Sequence, residues 1–246
     1  MAIAGALAAI PACRSSPSDP WTHAGPGGVQ IRVPVEDGFG ELVDAAWPAL
    51  FVVGVEAETK ETFGGNGVAL SPTLMLTVGH LVRGSEGYAV NLNPTKARVV
   101  ERGGDEERRD TDWAILALDP APPGLTPPEL GLGVEVGDLV MIAAFVVTDE
   151  LGPDGLNMVT VVRRRARVRS VRRTPDGGSF EVHLRGKASG SGAPVLDAEG
   201  RLVGIVSKGL HKEGGPITDL VVTMLPRVAV ERVLAGGEPV GAGGEQ

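Results

Sequence analysis

Residues 186–209 read GKASGSGAPVLDAEGRLVGIVSKG, and the two halves of this stretch decide the fold. The first half sets Ser191 among small residues, with Gly190 before it and Gly192, Ala193 and Pro194 after it. The second half is the apolar pair Val195-Leu196, a turn over DAEG, and an apolar run from Arg201 to Ser207. Aliphatic and β-branched residues bounded by an Asp/Gly cluster predict strand, turn, strand. A hydroxyl presented by a close-packed turn needs small neighbours. Ser191 is therefore the first candidate for a nucleophile, a role that further requires a base, an acid to orient it, and donors for a developing oxyanion.

Outward from this stretch the chain keeps the same texture. ALFVVGV, GVALSP, LMLTVGH, YAVNL, ARVVER and WAILAL follow one another from Ala49 onward, each bounded by Gly, Pro, Asn or charged residues. After LDPAPPGLTPPEL comes a second series: DLVMIAAFVV, MVTVVRRRARVRSV, SFEVHL, APVLDAE, RLVGIVS and DLVVTML. Short apolar runs at this spacing predict an all-β protein of two halves joined through the Pro-rich stretch 120–128. Helical periodicity is confined to PRVAVERVLAGG, where Val228, Val230, Val233 and Leu234 are read as one apolar face ended by Gly236 and Gly237. The predicted organisation is a leader and flexible linker over 1–44, a first β-barrel over 45–123, a second with the terminal helix over 124–236, and a tail over 237–246. No repeat of 20–50 residues is evident.

Composition narrows the function. With 36 Gly and 19 Pro in 246 residues and aromatics at only 4%, the core must come from Val, Leu, Ile and Ala in many short strands. A net charge of -8 argues against nucleic acid as a partner, since backbone binding rests on positive charge. Seven arginines do crowd between Arg163 and Arg173, with Arg163, Arg165, Arg167 and Arg169 alternating against Arg164, Ala166 and Val168. That pattern reads as the solvated face of a strand, or more sharply as an anion-binding surface. No metal-ligand cluster, phosphate loop or dinucleotide fingerprint is present, so neither metal nor cofactor is expected.

Two further segments complete the chemistry. GNGVALSPTLMLTVGHLV ends in Leu76-Thr77-Val78-Gly79-His80, and Asp112-Trp113-Ala114-Ile115-Leu116 sets a carboxylate directly before an apolar run. His23, His183 and His211 lack such flanks and read as ordinary core-edge residues; Asp110 competes with Asp112 but stands off the strand. Ser189 competes with Ser191, but would have Gly192 and not proline three residues on. Together these segments resemble the trypsin-like serine proteases of compact bacterial type, which carry Leu-Thr-x-x-His, Asp-hydrophobic-Ala-hydrophobic-Leu and Ser-Gly-x-Pro in this chain order. The resemblance covers most of the chain from about Ala49 to Leu234.

The resemblance implies a chymotrypsin-like double barrel with six-stranded-type barrels, and a serine endopeptidase with the triad His80, Asp112, Ser191 acting on peptide or protein substrates through an acyl-enzyme. It further implies an oxyanion hole from the backbone N–H groups of Ser189 and Ser191, and a substrate-binding edge over Ser207, Lys208 and Gly209. Counting back from Ser191 puts Arg185 at the base of the specificity pocket. An acidic side chain before the scissile bond is then expected if Arg185 or Lys208 faces the pocket, and a shallow apolar pocket if both face solvent. The family usually has glycine where Ser189 stands, and a serine directs its N–H inward only at some backbone cost. Two alternatives follow: an esterase-like hydrolase using the same triad, and a catalytically degenerate domain that binds peptides.

The N-terminal MAIAGALAAIPA has the length of a signal-peptide apolar region and is too short to span a bilayer. Ile10-Pro11-Ala12-Cys13 resembles a lipoprotein cleavage site, although no Lys or Arg precedes the apolar run. Export is the favoured reading, with a membrane tether through a lipid on Cys13 as its extension; the alternative is a disordered N-terminus with an incidental cysteine. Oligomeric state is not legible. Cell fractionation should recover the protein outside the cytoplasm. A full-length cytosolic product with a free Cys13 thiol would refute export.

Overall fold

The computed structural model describes residues 22–24, 30–32, 49–56, 62–82, 85–90, 95–104, 111–119, 127–151, 157–174, 177–183, 190–211 and 217–236. Strands β3 (Ala49–Glu56), β4 (Thr62–Ser71), β5 (Leu74–Thr77), β6 (Ser85–Val90), β7 (Thr95–Arg102) and β8 (Ala114–Asp119) close a six-stranded antiparallel barrel in the order β3-β4-β5-β8-β7-β6. Strands β9 (Leu139–Leu151), β10 (Asn157–Thr174), β11 (Gly177–His183), β12 (Pro194–Leu196), β13 (Leu202–His211) and β14 (Ile217–Met224) form the second sheet. There the order is β10-β11-β14-β13-β12-β9, and β9 pairs back onto β10 to close the ring. The double barrel expected from the sequence is present.

Three apolar clusters explain why the sequence shows apolar runs and not strict alternation. Ala69, Met75, Ala114, Leu116 and Leu118 fill the first barrel. Val140, Ile142, Val168, Phe180, Val206 and Val222 belong to the core of the second. The third cluster lies between the barrels, where Val68, Leu76 and Ile115 meet Leu196, Leu202 and Ile205. Successive residues of one strand therefore serve different cores: Met75 faces inward and Leu76 the seam, and Val206 faces inward and Ile205 the seam. A strand buried on both faces needs apolar residues at every position.

Helix α1 (Arg227–Leu234) caps the seam through Ala229, Val230 and Val233. This corrects the expected face: Val228 and Leu234 are exposed, and Ala229 joins Val230 and Val233 on the buried side. At 100° per residue, Val228 and Val230 stand about 200° apart and cannot share a face. Arg232 on α1 hydrogen-bonds to the buried Glu101 on β7, tying the helix to the first barrel.

Two short strands lie within the stretch read as a leader and linker. Thr22–Ala24 (β1) and Gln30–Arg32 (β2) are strands, and β2 runs parallel to β10 over Met158–Thr160. Three-residue strands carry no periodicity of their own and form by borrowing the edge of a longer neighbour. Among the described residues, no helix is long and apolar enough to cross a membrane.

Ile205 is fully buried in the seam, so truncating it tests how far the docking of the barrels holds the fold. Ile205→Ala should lower unfolding free energy by about 2–5 kcal/mol and Ile205→Val by about 0.5–1.5 kcal/mol. Urea titration should register both as a shift in midpoint at unchanged slope.

Candidate active site

His80 and Asp112 meet at the seam, and Ser191 is linked to them through Ser207; each of the three lies at the end of a strand. His80 sits in a short 3₁₀ turn, Gly79–Val82, that follows β5. Asp112 directly precedes Trp113 and β8, and Ser191 lies in the turn before β12. Because β5 and β8 are hydrogen-bonded neighbours with Thr77 opposite Ala114, the residues just past Thr77 and just before Ala114 emerge side by side. A Cβ on Gly79 would lie 2.7 Å from the Gly104 carbonyl oxygen and 3.3 Å from Asp112 Oδ1. Glycine before His80 therefore permits this approach.

The carboxylate of Asp112 is almost wholly buried and receives three hydrogen bonds. The His80 backbone N–H donates to Oδ1 at 3.0 Å, and His80 Nδ1 to Oδ2 at 2.9 Å. The Ser207 hydroxyl donates to Oδ2 at 2.7 Å. Burial pushes this carboxyl up; the hydrogen bonds from the His80 side chain and Ser207, with the charge of His80 and its backbone N–H, outweigh burial and hold it below the usual aspartate value. An ionised carboxylate only accepts, so Nδ1 is the donor in this pair, and in the neutral ring Nε2 is the nitrogen that keeps its lone pair. His80 keeps 18% of its side chain accessible, enough for the ring to meet a ligand.

The Ser191 hydroxyl donates to the backbone carbonyl of Ser207 at 3.4 Å. Ser207 therefore touches two members of the trio, through its side chain on Asp112 and its carbonyl on Ser191. The turn carrying Ser191 is stapled to both barrels. Its carbonyl accepts from the Asn66 N–H of β4 at 2.7 Å, and the Gly192 N–H donates to Val206 of β13 at 2.7 Å. Gly192 has φ +82, and a Cβ there would fall 1.8 Å from the Asn66 carbonyl oxygen; glycine is required on both counts. The DAEG turn forms as expected, with Asp197 Oδ1 accepting the N–H groups of Glu199 and Arg201 at 3.0 and 2.8 Å.

Of the residues expected at the site, Ser207, Lys208 and Gly209 lie on β13. Ser207 is buried, while Lys208 and Gly209 are half-buried opposite Val221 and Leu220. Arg185, Ser189 and Cys13 lie outside the described residues. Two residues escaped sequence reasoning in part. Ser207 was read as a binding edge, with nothing to indicate that its hydroxyl serves Asp112. Asn66 was passed over, although a polar residue between two glycines in an apolar strand was a visible signal. His183 forms a second histidine–carboxylate pair with Asp219 at 2.9 Å, half-exposed and joined by Arg169 at 3.5 Å. On β10, Ala166 and Val168 are buried and Arg165, Arg167 and Arg169 exposed, as the alternation suggested, but Arg164, expected on the face of Ala166 and Val168, is exposed too. Among the described residues no group of three or more His, Cys, Asp or Glu side chains could hold a metal ion.

The family model of the trypsin-like peptidase domain matches residues 65–205. No curated protein sequence matches the chain. Among solved structures, the active form of the Rv3671c protease from M. tuberculosis superposes with a TM-score of 0.59 at 22% identity, covering 86% of this chain and 92% of that one. The HtrA-type protease AlgW with a tripeptide superposes with a TM-score of 0.60 at 21% identity, covering 82% of this chain and 65% of that one. At these identities the likeness is one of fold.

Ser207→Ala should destabilise the protein at neutral pH by about 1.5–3 kcal/mol, the range for a hydrogen bond to a charged group. A carboxyl held low in the folded state stabilises above its unfolded value, about 3.9, and that contribution is lost as pH falls through the folded value. The difference between wild type and Ser207→Ala in urea titrations should therefore be full at pH 7 and narrow once the pH drops below about 4.

Proposed function

The chain belongs to the trypsin-like peptidase family, and on that premise we propose that it is a serine endopeptidase with His80, Asp112 and Ser191 as its triad. One observation carries the reading: a buried, ionised Asp112 fixes the His80 ring through Nδ1 at 2.9 Å. That leaves the opposite nitrogen free to act as a base beside a serine presented on a turn of small residues. The tripeptide held by AlgW, a protein of the same fold, supports a peptide as the substrate class.

In this mechanism the Ser191 hydroxyl leaves its long contact with the Ser207 carbonyl and gives its proton to His80 Nε2 as Oγ attacks the scissile carbonyl carbon. Asp112 stabilises the imidazolium that results and keeps its proton on the correct nitrogen. The carbonyl oxygen takes up the negative charge and is met by the backbone N–H groups of Ser191 and Ser189. Collapse of the tetrahedral species breaks the C–N bond, and His80 returns the proton to the departing amine. Water, activated by His80 in turn, then hydrolyses the acyl-enzyme. Ser207, Lys208 and Gly209 supply a strand edge along which the substrate backbone pairs.

Ser191→Ala should abolish cleavage of an unstructured protein, by about 10⁶ in kcat, while leaving the fold intact, because alanine removes the oxygen and keeps a small side chain. His80→Ala should be comparably severe, and Asp112→Asn should cost about 10⁴ through the wrong imidazole tautomer. Wild type should take up a fluorophosphonate at Ser191. A wild-type protein that neither cleaves nor labels would replace the enzyme with a peptide-binding domain, and a label found at Ser189 would move the nucleophile.

A further inference from the structure

Asn66 is completely buried in β4, in a position that an apolar side chain would ordinarily fill. A carboxamide taken out of water is costly unless its dipole is engaged. Its surroundings show what engages it. The backbone of Asn66 donates its N–H to the Ser191 carbonyl at 2.7 Å, and its own carbonyl accepts the Thr77 hydroxyl at 2.6 Å. Any residue at 66 would keep those two bonds, so they do not explain the choice of asparagine.

The side chain has a separate role. Nδ2 lies 3.5 Å from the Ser191 carbonyl oxygen, a long contact that adds a second donor to the oxygen already held by the backbone. Nδ2 also lies 3.2 Å from where a Cβ on Gly190 would stand, with Ala144 Cβ at 2.7 Å from the same point. The carboxamide thus packs directly against the residue that precedes the nucleophile. On the far side, Gly192 is pressed against the Asn66 carbonyl. The three residues 190–192 are therefore seated on Asn66 across the seam; the Gly192 N–H bond to Val206 holds them from the second barrel, and the Ala193 N–H bond to the Gly190 carbonyl closes the turn itself.

We propose that the Asn66 side chain is a positioning element for the nucleophile, holding residues 190–192 in the one geometry that presents Ser191 Oγ and its N–H. This rests on the serine-peptidase reading above. Displacement of a reacting group by about 1 Å can cost on the order of 10² in rate. The strand edge that binds substrate is on β13, which the Asn66 side chain does not form, so the cost should fall on kcat and spare KM.

The test compares wild type with Asn66→Ala and Asn66→Ser by peptide-cleavage kinetics, by the rate constant for fluorophosphonate labelling of Ser191, and by urea unfolding. Asn66→Ala is expected to fold, to lose about 10–100-fold in kcat and a similar factor in labelling rate, and to keep KM within about two-fold. Asn66→Ser, which restores a small hydrogen-bond donor, should recover part of both rates. Unchanged kcat and labelling in a folded Asn66→Ala overturn the proposal, as does a rise in KM alone. Loss of the fold in both variants would assign Asn66 to the core and overturn it equally. A wild type inert to substrate and label alike would instead remove the serine-peptidase reading itself.

Discussion

A carboxylate cut off from water is the constraint around which this molecule is arranged. Asp112 is 1% accessible, and an isolated charge at that depth would cost several kcal/mol or become neutral. It stays ionised because three donors converge on it, and they come from separate elements: the 3₁₀ turn after β5 supplies two and β13 of the other barrel supplies the third. The first barrel alone cannot satisfy its own aspartate. The buried hydroxyl of Ser207 and the orientation of His80 both serve that one demand.

The apolar seam makes this arrangement rigid. Leu76, Ile115, Leu202 and Ile205 interlock between the barrels, with Ala229, Val230 and Val233 of α1 packed in the same cluster. Glu101 is a second buried carboxylate, held by Arg232 from the helix. Apolar contact supplies most of the attraction and is indifferent to direction, while the hydrogen bonds across the seam set its register.

Sequence and structure agree where the signal is local. The apolar runs, the DAEG turn, the terminal helix and the alternation of Ala166 and Val168 with arginines could all be read from neighbouring residues. So could the flanks of His80, Asp112 and Ser191, because each sits at the end of a strand whose composition announces it. The partners of these residues were not legible in the same way. Ser207 reaches Asp112 over 95 residues and Asn66 reaches Ser191 over 125; no pattern within a window of the chain records such a meeting. The misplaced helix face had a different origin: Val228 is apolar, but the rotation per residue carries it away from Val230. Strands β1 and β2 were missed because three residues hold no period, and their pairing depends on the edge of β10.

Those separations also govern timing. Synthesis proceeds from the N-terminus, so the first barrel leaves the ribosome while β13 is still unmade, and contacts between distant parts of a chain are the slow ones to form. Until residue 207 has emerged, Asp112 lacks its third donor and the turn bearing Ser191 has no β13 to lean on. A nascent chain that carries His80 and Asp112 but not yet residue 207 has only part of the hydrogen-bonded network that spans the two barrels.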